Sequence, residues 1–361
     1  MDISGFPMGG EIVAETLYVL EPGSYLRREA DTLKVVHEGK VTAEITTSGL
    51  KKLILVGYVS LSGGVLDYLI RQRIETVFLT PTGRFRARLA IDEHKHVQRR
   101  RAQYLRLSEP NIALRIAESI VSGKIENGVR LLLNRARQYQ KESLRLSAVR
   151  MRAIQSGTNG AQDMEQLRGL EGTASNVFFG CFADMIQNER FTFKERNRRP
   201  PRDPVNALLS FVYTLLTNEV LSAIKTVGLD PYLGTLHEID YGRPSLACDL
   251  VEEYRSFLGE RLVLGLINRR LIKPDDFVYR NPEKKTYVDE EDLAKNRPVE
   301  MKPALQRTFI AAYEEMMNRR IWYPAQEQHI SYRWLILQQV RQFAEVLETA
   351  DGVYRPFVWE K

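Results

Sequence analysis

The hydrophobic pattern of this chain changes period once, near Arg84, and that change restricts it to a fold of two unlike parts. Before it, short runs rich in Val, Ile, Leu and Thr follow one another: TLYVL from Thr16, TLKVV from Thr32, KVTAEIT from Lys40, KKLILV from Lys51 and ETVFLT from Glu75. Gly23, Gly39, Gly49 and Gly57 punctuate them, so the runs are predicted as strands, with a hairpin loop at HEG from His37. One helix is expected among them, from Val65, with Leu66, Leu69 and Ile70 on one face. From about His94 the apolar residues recur at helical spacing, with stops expected at Pro110, Gly123 and Gly128. Strands first and helices afterwards define an α+β protein. We place a β-rich N-terminal domain at 1–92 and a larger all-helical C-terminal domain at 93–361.

Within the second part, Asp203-Pro204 is a helix start, with Asp as N-cap and Pro in the first turn, and Gly228 is the matching stop. The stretch 207–224 is apolar nearly all round but carries Ser210, Thr214, Thr217, Asn218 and Glu219. A buried core helix is therefore expected there, not a membrane span. Residues 277–289 are predicted as a hairpin between helices, and 332–347 as an amphipathic helix that closes the chain. Hydrophobic residues make up 43% and charged residues 27% of the 361, which excludes a disordered chain, a collagen-like repeat and a disulfide miniprotein. Cys181 and Cys248 supply neither a disulfide framework nor a zinc spacing, as suits a reducing cytoplasm. The first fifteen residues lack the basic start and apolar core of a signal peptide.

Charge is concentrated. Residues 84–106 hold eight basic and two acidic side chains, and 130–152 hold seven and one; the whole chain has a net charge of only +6. A third basic run, 188–204, contains Arg196, Arg198, Arg199 and Arg202 around two prolines. Basic runs offset by acid elsewhere suggest a face that tracks a phosphate backbone, although any one run could be a solvated helix face.

Of the five histidines, His37 and His329 sit in polar, turn-like surroundings, and His94 and His96 flank a lysine, a poor place for a cation. His237 differs, because a helix with three carboxylates follows it. That helix is expected to begin at Pro244-Ser245 with Ser245 as N-cap, and to place Asp249, Glu252 and Glu253 together on one face. Three carboxylates on a narrow arc repel unless a cation relieves them, though paired glutamates on a helix are more commonly a solvated face. Glu171 opens the stretch EGTASNVFFGCFADMI, where it reads either as an acid beside a close approach or as a charge favoured by a helix N-terminus.

Four segments give the chain a family resemblance: GLEGTASNVFF around Glu171, RNRRPPRDPVNALLSFVYTLL from Arg196, YLGTLHEIDYGRPSLACDLVEEYR from Tyr232 and SYRWLILQQVRQFAEVL from Ser331. In sequence, order and spacing they resemble the CRISPR-associated integrase family, the first numbered Cas protein (Cas-one), over about Thr16 to Pro356. The resemblance implies a metal site made of Glu171, His237 and Glu252, which would also be the catalytic residues. Asp249 would stand one helical turn before Glu252 in a supporting role. Glu252 is preferred over Glu253 on the resemblance alone, since helix geometry allows either. One imidazole and two or three carboxylates suit Mg²⁺ or Mn²⁺.

The expected function is a CRISPR adaptation integrase, a metal-dependent DNA endonuclease that inserts short duplex DNA into the repeat array. Its expected partners are double-stranded DNA (prespacer and CRISPR repeat), a second copy of the chain, and the small second Cas protein, Cas-two. No membrane partner is expected. Arg196, Arg198, Arg199 and Arg202 would contact phosphates. The homodimer would form through the β-domain, whose strands have too little sequence to cover both sheet faces and leave edges as pairing templates. Two other readings remain: a structure-specific nuclease of branched DNA in repair, and a non-catalytic DNA-binding subunit.

Overall fold

The computed structural model describes residues 12–13, 15–80, 85–89, 96–197, 200–279, 299–323, 326–349 and 352–359. Nine strands precede the first long helix: β1 (Ile12–Val13), β2 (Thr16–Val19), β3 (Tyr25–Glu29), β4 (Thr32–His37), β5 (Lys40–Thr46), β6 (Lys52–Val56), β7 (Ser60–Leu61), β8 (Glu75–Leu79) and β9 (Phe85–Leu89), with helix α1 (Gly63–Arg71) before β8. They form a five-stranded sheet in the order β1-β2-β6-β8-β9 and a four-stranded sheet in the order β5-β4-β3-β7. In the larger sheet β2, β6 and β8 run parallel, with Leu17 opposite Leu53 and Leu53 opposite Thr76.

A parallel centre must be covered on both faces, and β6 is buried throughout. Its alternate residues serve two cores. Leu53 and Leu55 pack with Leu17, Leu26 and Leu33 against the smaller sheet. Ile54 and Val56 join Tyr18, Val77 and Leu79 in the core of the helical part. Both faces are thus covered within one chain, so an uncovered sheet face supplies no reason for dimerisation. The His37 turn is as expected, with Glu38 and Gly39 both at positive φ between paired His37 and Lys40, the two-residue hairpin geometry that matches strand twist. On α1 the buried stripe is Val65 and Leu69, while Leu66 and Ile70 are exposed. Of the expected face Leu69 is buried, and Val65 joins it in place of Leu66 and Ile70.

The helices are α2 (Val97–Leu107), α3 (Pro110–Tyr139), α4 (Glu142–Ser156), α5 (Met164–Gly180), α6 (Pro204–Val227), a broken run of α7 (Ser245–Leu250), α8 (Glu252–Tyr254), a π-helical turn (Arg255–Glu260) and α9 (Arg261–Asn268), then α10 (Pro303–Met317) and α11 (Tyr332–Glu348). The core helix α6 begins as expected: Asp203 caps it by accepting from Asn206 N, and Gly228 ends it at φ +90°. Of its most apolar window 78% is buried inside the fold, which accounts for its hydrophobicity. In contrast, α3 runs straight through Gly123 and Gly128. These glycines are close approaches, not stops: a Cβ on Gly123 would stand 2.5 Å from Pro356, and one on Gly128 2.9 Å from Met151. Phe277–Tyr279 pairs with Val299–Met301, so the return strand begins later than the expected hairpin; residues 280–289 lie outside the described residues.

Polar contacts also tie the strand part to the helices. Lys52 of β6 reaches Glu219 of α6, which Arg333 of α11 also holds, and Arg333 and Tyr18 share Glu314. Glu219 is buried, and burial alone would push its carboxyl up. Lys52 and Arg333 outweigh that and hold it down to about 2.

Candidate metal and nucleic-acid site

Three elements bring the acidic residues together. On α3, Lys124 sits between the carboxylates of Glu171 from α5 and Glu252 from α8, at 2.7 Å from Glu252 Oε2 and in direct contact with Glu171. Ser175, one turn along α5, also donates to Glu171 at 2.9 Å. Glu171 does not open its helix. That helix starts at Met164 behind an Asp163 cap, so no helix N-terminus offsets the Glu171 charge and the lysine does. Burial opposes ionisation of Glu171, yet Lys124 leaves its pKa lowered. For Glu252, only 3% exposed, burial is again the largest influence, and Arg255 and Lys124 overcome it and hold the carboxyl at about 2.

His237 is positioned by Asp249. The wholly buried Asp249 carboxylate accepts the backbone N–H groups of Thr235 (2.6 Å), Leu236 (3.1 Å) and His237 (3.0 Å), and its Oδ1 lies 2.7 Å from His237 Nδ1. This contact suits a ring that donates from Nδ1, and in the neutral tautomer that does so Nε2 is the nitrogen with the lone pair. Gly234 is required for this wrap, because a Cβ there would meet Asp249 Oδ2 at 2.4 Å. Ser245 does not cap the next helix; it is the first helical residue, and its hydroxyl donates to Glu238 O.

The three acids expected on one face diverge. Asp249 points into the 235–237 loop and Glu252 to Lys124 and Arg255. Glu253, fully buried, accepts from Tyr354 Oη and Phe357 N. Burial pushes Glu253 up to about 8. The π-helical turn follows at once, a deviation that recurs at functional sites. Beside the cluster opens a small cleft, lined among others by Lys124, Ser175, Phe179, Tyr213, Arg255 and Glu260.

The donor types fit a hard divalent cation: one imidazole nitrogen and two carboxylates. Among the described residues, however, no three His, Cys, Asp or Glu side chains converge as ligands; the Lys124 ammonium supplies the positive charge between the two glutamates.

The basic runs divide. Arg196 points inward: it donates to Asn206 Oδ1 at 2.7 Å and to Ser210 Oγ, and its guanidinium lies 5.3 Å from the Tyr213 ring centre. Arg202 is exposed, whereas Arg198, Arg199 and His94 lie outside the described residues. In the first run, Arg88 pairs with Glu75, Arg99 with Glu348 and Arg106 with Thr349 O, so much of that charge braces the fold. On α4, Arg145, Arg150 and Arg152 face solvent. Lys124 and Arg255 were missed in the sequence. The available sign was a lone lysine in SGKIENG, between the two close-approach glycines.

A strand sandwich packed on a helical bundle, with two glutamates facing across a lysine where three helices meet, delimits the class, and comparison with known proteins supplies the family. The family described as CRISPR associated protein Cas1 matches residues 17–315. The CRISPR-associated endonuclease Cas1 3 of Thermus thermophilus is 38% identical over 346 residues, spanning 94% of this chain and 96% of that protein. The fold is similar to that of a casposase bound to integration product (TM-score 0.80, 20% identity, 96% of this chain and 94% of that one). It is also similar to a chain of a Cas6-RT-Cas1–Cas2 complex (TM-score 0.79, 23% identity, 97% of this chain and 36% of that one). The chain belongs to the Cas1 family.

Proposed function

We propose that the protein is an integrase and endonuclease of CRISPR adaptation that uses Mg²⁺ or Mn²⁺ to join short duplex DNA to the repeat array. The observation that carries this reading is the pair of facing carboxylates, Glu171 and Glu252, which already hold one cation, Lys124, between them, with the Asp249-held imidazole of His237 close enough to Glu252 to help hold its carboxyl down. The relative named as an endonuclease and the casposase holding an integration product support the reaction class. Glu171, His237 and Glu252 would hold the ion, and Asp249 would orient the imidazole. When bound, such an ion polarises a phosphodiester and stabilises charge on its oxygens.

The chain's own residues do the rest. Asp249 keeps the proton on Nδ1, and Arg255 holds the second oxygen of Glu252. Lys124, released from the glutamates, is left as a cation for a phosphate oxygen. In joining, a DNA 3′-oxygen forms a new P–O bond as the bond to the leaving 3′-oxygen breaks, and the attacking hydroxyl's proton passes to solvent or to the leaving oxygen. No protein nucleophile is needed.

Arg198, Arg199 and Arg202, with the exposed arginines of α4, are proposed to track the duplex backbone; Arg196 braces their loop from inside. We also propose that residues 1–92 form a dimerisation part and 93–361 the catalytic part, with a small Cas2 protein as partner in the cytoplasm. The test is a joining assay with labelled duplex and a repeat-bearing plasmid, with and without Cas2 and Mn²⁺. Metal-dependent covalent joining supports the integrase. Cutting without joining, also with a 3′-deoxy end, supports the repair nuclease.

A further inference from the structure

Beyond α11 the chain does not stop at the helix. Residues 352–359 run back across α3 and the π-helical turn, outside the 17–315 segment that the family description matches. Both oxygens of the Glu253 carboxylate are occupied by this segment, one by the Tyr354 hydroxyl and the other by Phe357 N at 2.7 Å. Asn127 of α3 completes the tie: its amide donates to Glu253 O and to Phe357 O, both at 2.8 Å, and accepts from Trp359 N at 2.8 Å. Phe357 stacks on Tyr254 at 5.8 Å between ring centres, and Trp359 lies against Phe257 and under Arg261. Gly123 lacks the side chain that would collide with Pro356.

We infer that residues 352–359 are a strap that positions Glu252, through Glu253, for metal binding. The inference rests on the metal-site reading above. Glu253 adjoins Glu252 in the chain, so the grip on its carboxylate, with the Asn127 amide on its carbonyl, fixes the backbone from which Glu252 faces Glu171 and Lys124. Through Asn127, one turn from Lys124, the strap ties that backbone to α3. Tyr354 and Phe357 are therefore positioning residues, acting through Glu253 on a ligand they do not touch.

The test is Mn²⁺ binding to the full-length protein, read by electron paramagnetic resonance, alongside unfolding midpoints. Tyr354→Phe removes one grip and is expected to weaken Mn²⁺ binding about 10–100-fold, the usual effect of losing a group that orients a ligand, while the protein stays folded. Glu253→Gln can accept from Phe357 N and donate to the Tyr354 oxygen, so it should bind Mn²⁺ close to wild type, whereas Glu253→Ala should not. A chain ending at Ala350 should behave like Tyr354→Phe or worse. If Tyr354→Phe and Glu253→Ala are folded and bind Mn²⁺ as wild type does, with Glu252→Ala abolishing binding, the strap inference is overturned and the metal site stands. If the wild type binds no Mn²⁺, the metal-site reading falls and takes the strap with it.

Discussion

His237 Nδ1 and Asp249 Oδ1 are 2.7 Å apart, and the same buried carboxylate gathers three consecutive backbone N–H groups from Thr235 to His237. One side chain therefore sets the loop path, the ring orientation and the tautomer of the histidine. Asp249→Asn keeps an acceptor for the loop but presents an amide N–H toward part of it, so the ring proton is no longer anchored at Nδ1. We expect joining to fall about 10–100-fold with a fold intact by circular dichroism. Asp249→Ala should also lose stability, because buried N–H groups are left unpaired.

Replacing Glu171, His237 or Glu252 with Ala should reduce joining and cleavage by more than about a hundredfold without weakening DNA binding, since a lost carboxylate relieves repulsion of phosphate. Filter binding run beside the joining assay separates the two effects. Full joining by His237→Ala would place the chemistry elsewhere.

Lys124→Met leaves two facing carboxylates without their cation. Removing one partner of a fully buried pair costs about 3–5 kcal/mol. Glu171 is a quarter exposed, so we expect about 2 kcal/mol here. A divalent ion should recover part of that loss, so Mn²⁺ should raise the melting temperature of Lys124→Met more than that of the wild type. Equal shifts would show that Lys124 and the ion do not share a place.

Acid should loosen the junction between sheet and helices. The Glu219 carboxyl is held at about 2, against an ordinary 4.5. Its contribution is therefore fully present above pH 4.5 and is lost as pH falls toward 2, on the order of 3 kcal/mol in all. Urea unfolding at pH 6 and pH 3 measures this, and Glu219→Gln should show a smaller drop between the two.

The arginine loop divides into two behaviours. Replacing Arg198 and Arg199 with Ala should flatten the salt dependence of DNA affinity by about 0.9 log unit per log salt for each phosphate no longer neutralised. Arg196→Ala, which loses partners on Asn206, Ser210 and Tyr213, should lower the melting temperature and leave that slope unchanged.

The strand runs, the capped core helix from Pro204 and the charge runs were legible in the sequence, because alternation, caps and turn glycines are local signals. So was the segment carrying His237 and the acids, through its resemblance to a family. Local signals failed where a distant segment supplied the reason. Gly123 and Gly128 read as helix stops, since nothing nearby announces that Pro356 and Met151 need their space. Glu253 read as a companion of Glu252 because the 354–357 segment that buries it lies a hundred residues on. Arg196 read as a free cation, although Asn206 and Tyr213 had already claimed it. Sequence by itself determined which elements form and which chemical groups are on hand. Tertiary structure decided which carboxylate meets the lysine, which imidazole nitrogen stays free and which arginines turn outward, because those outcomes depend on burial and on partners brought together only when the helices pack.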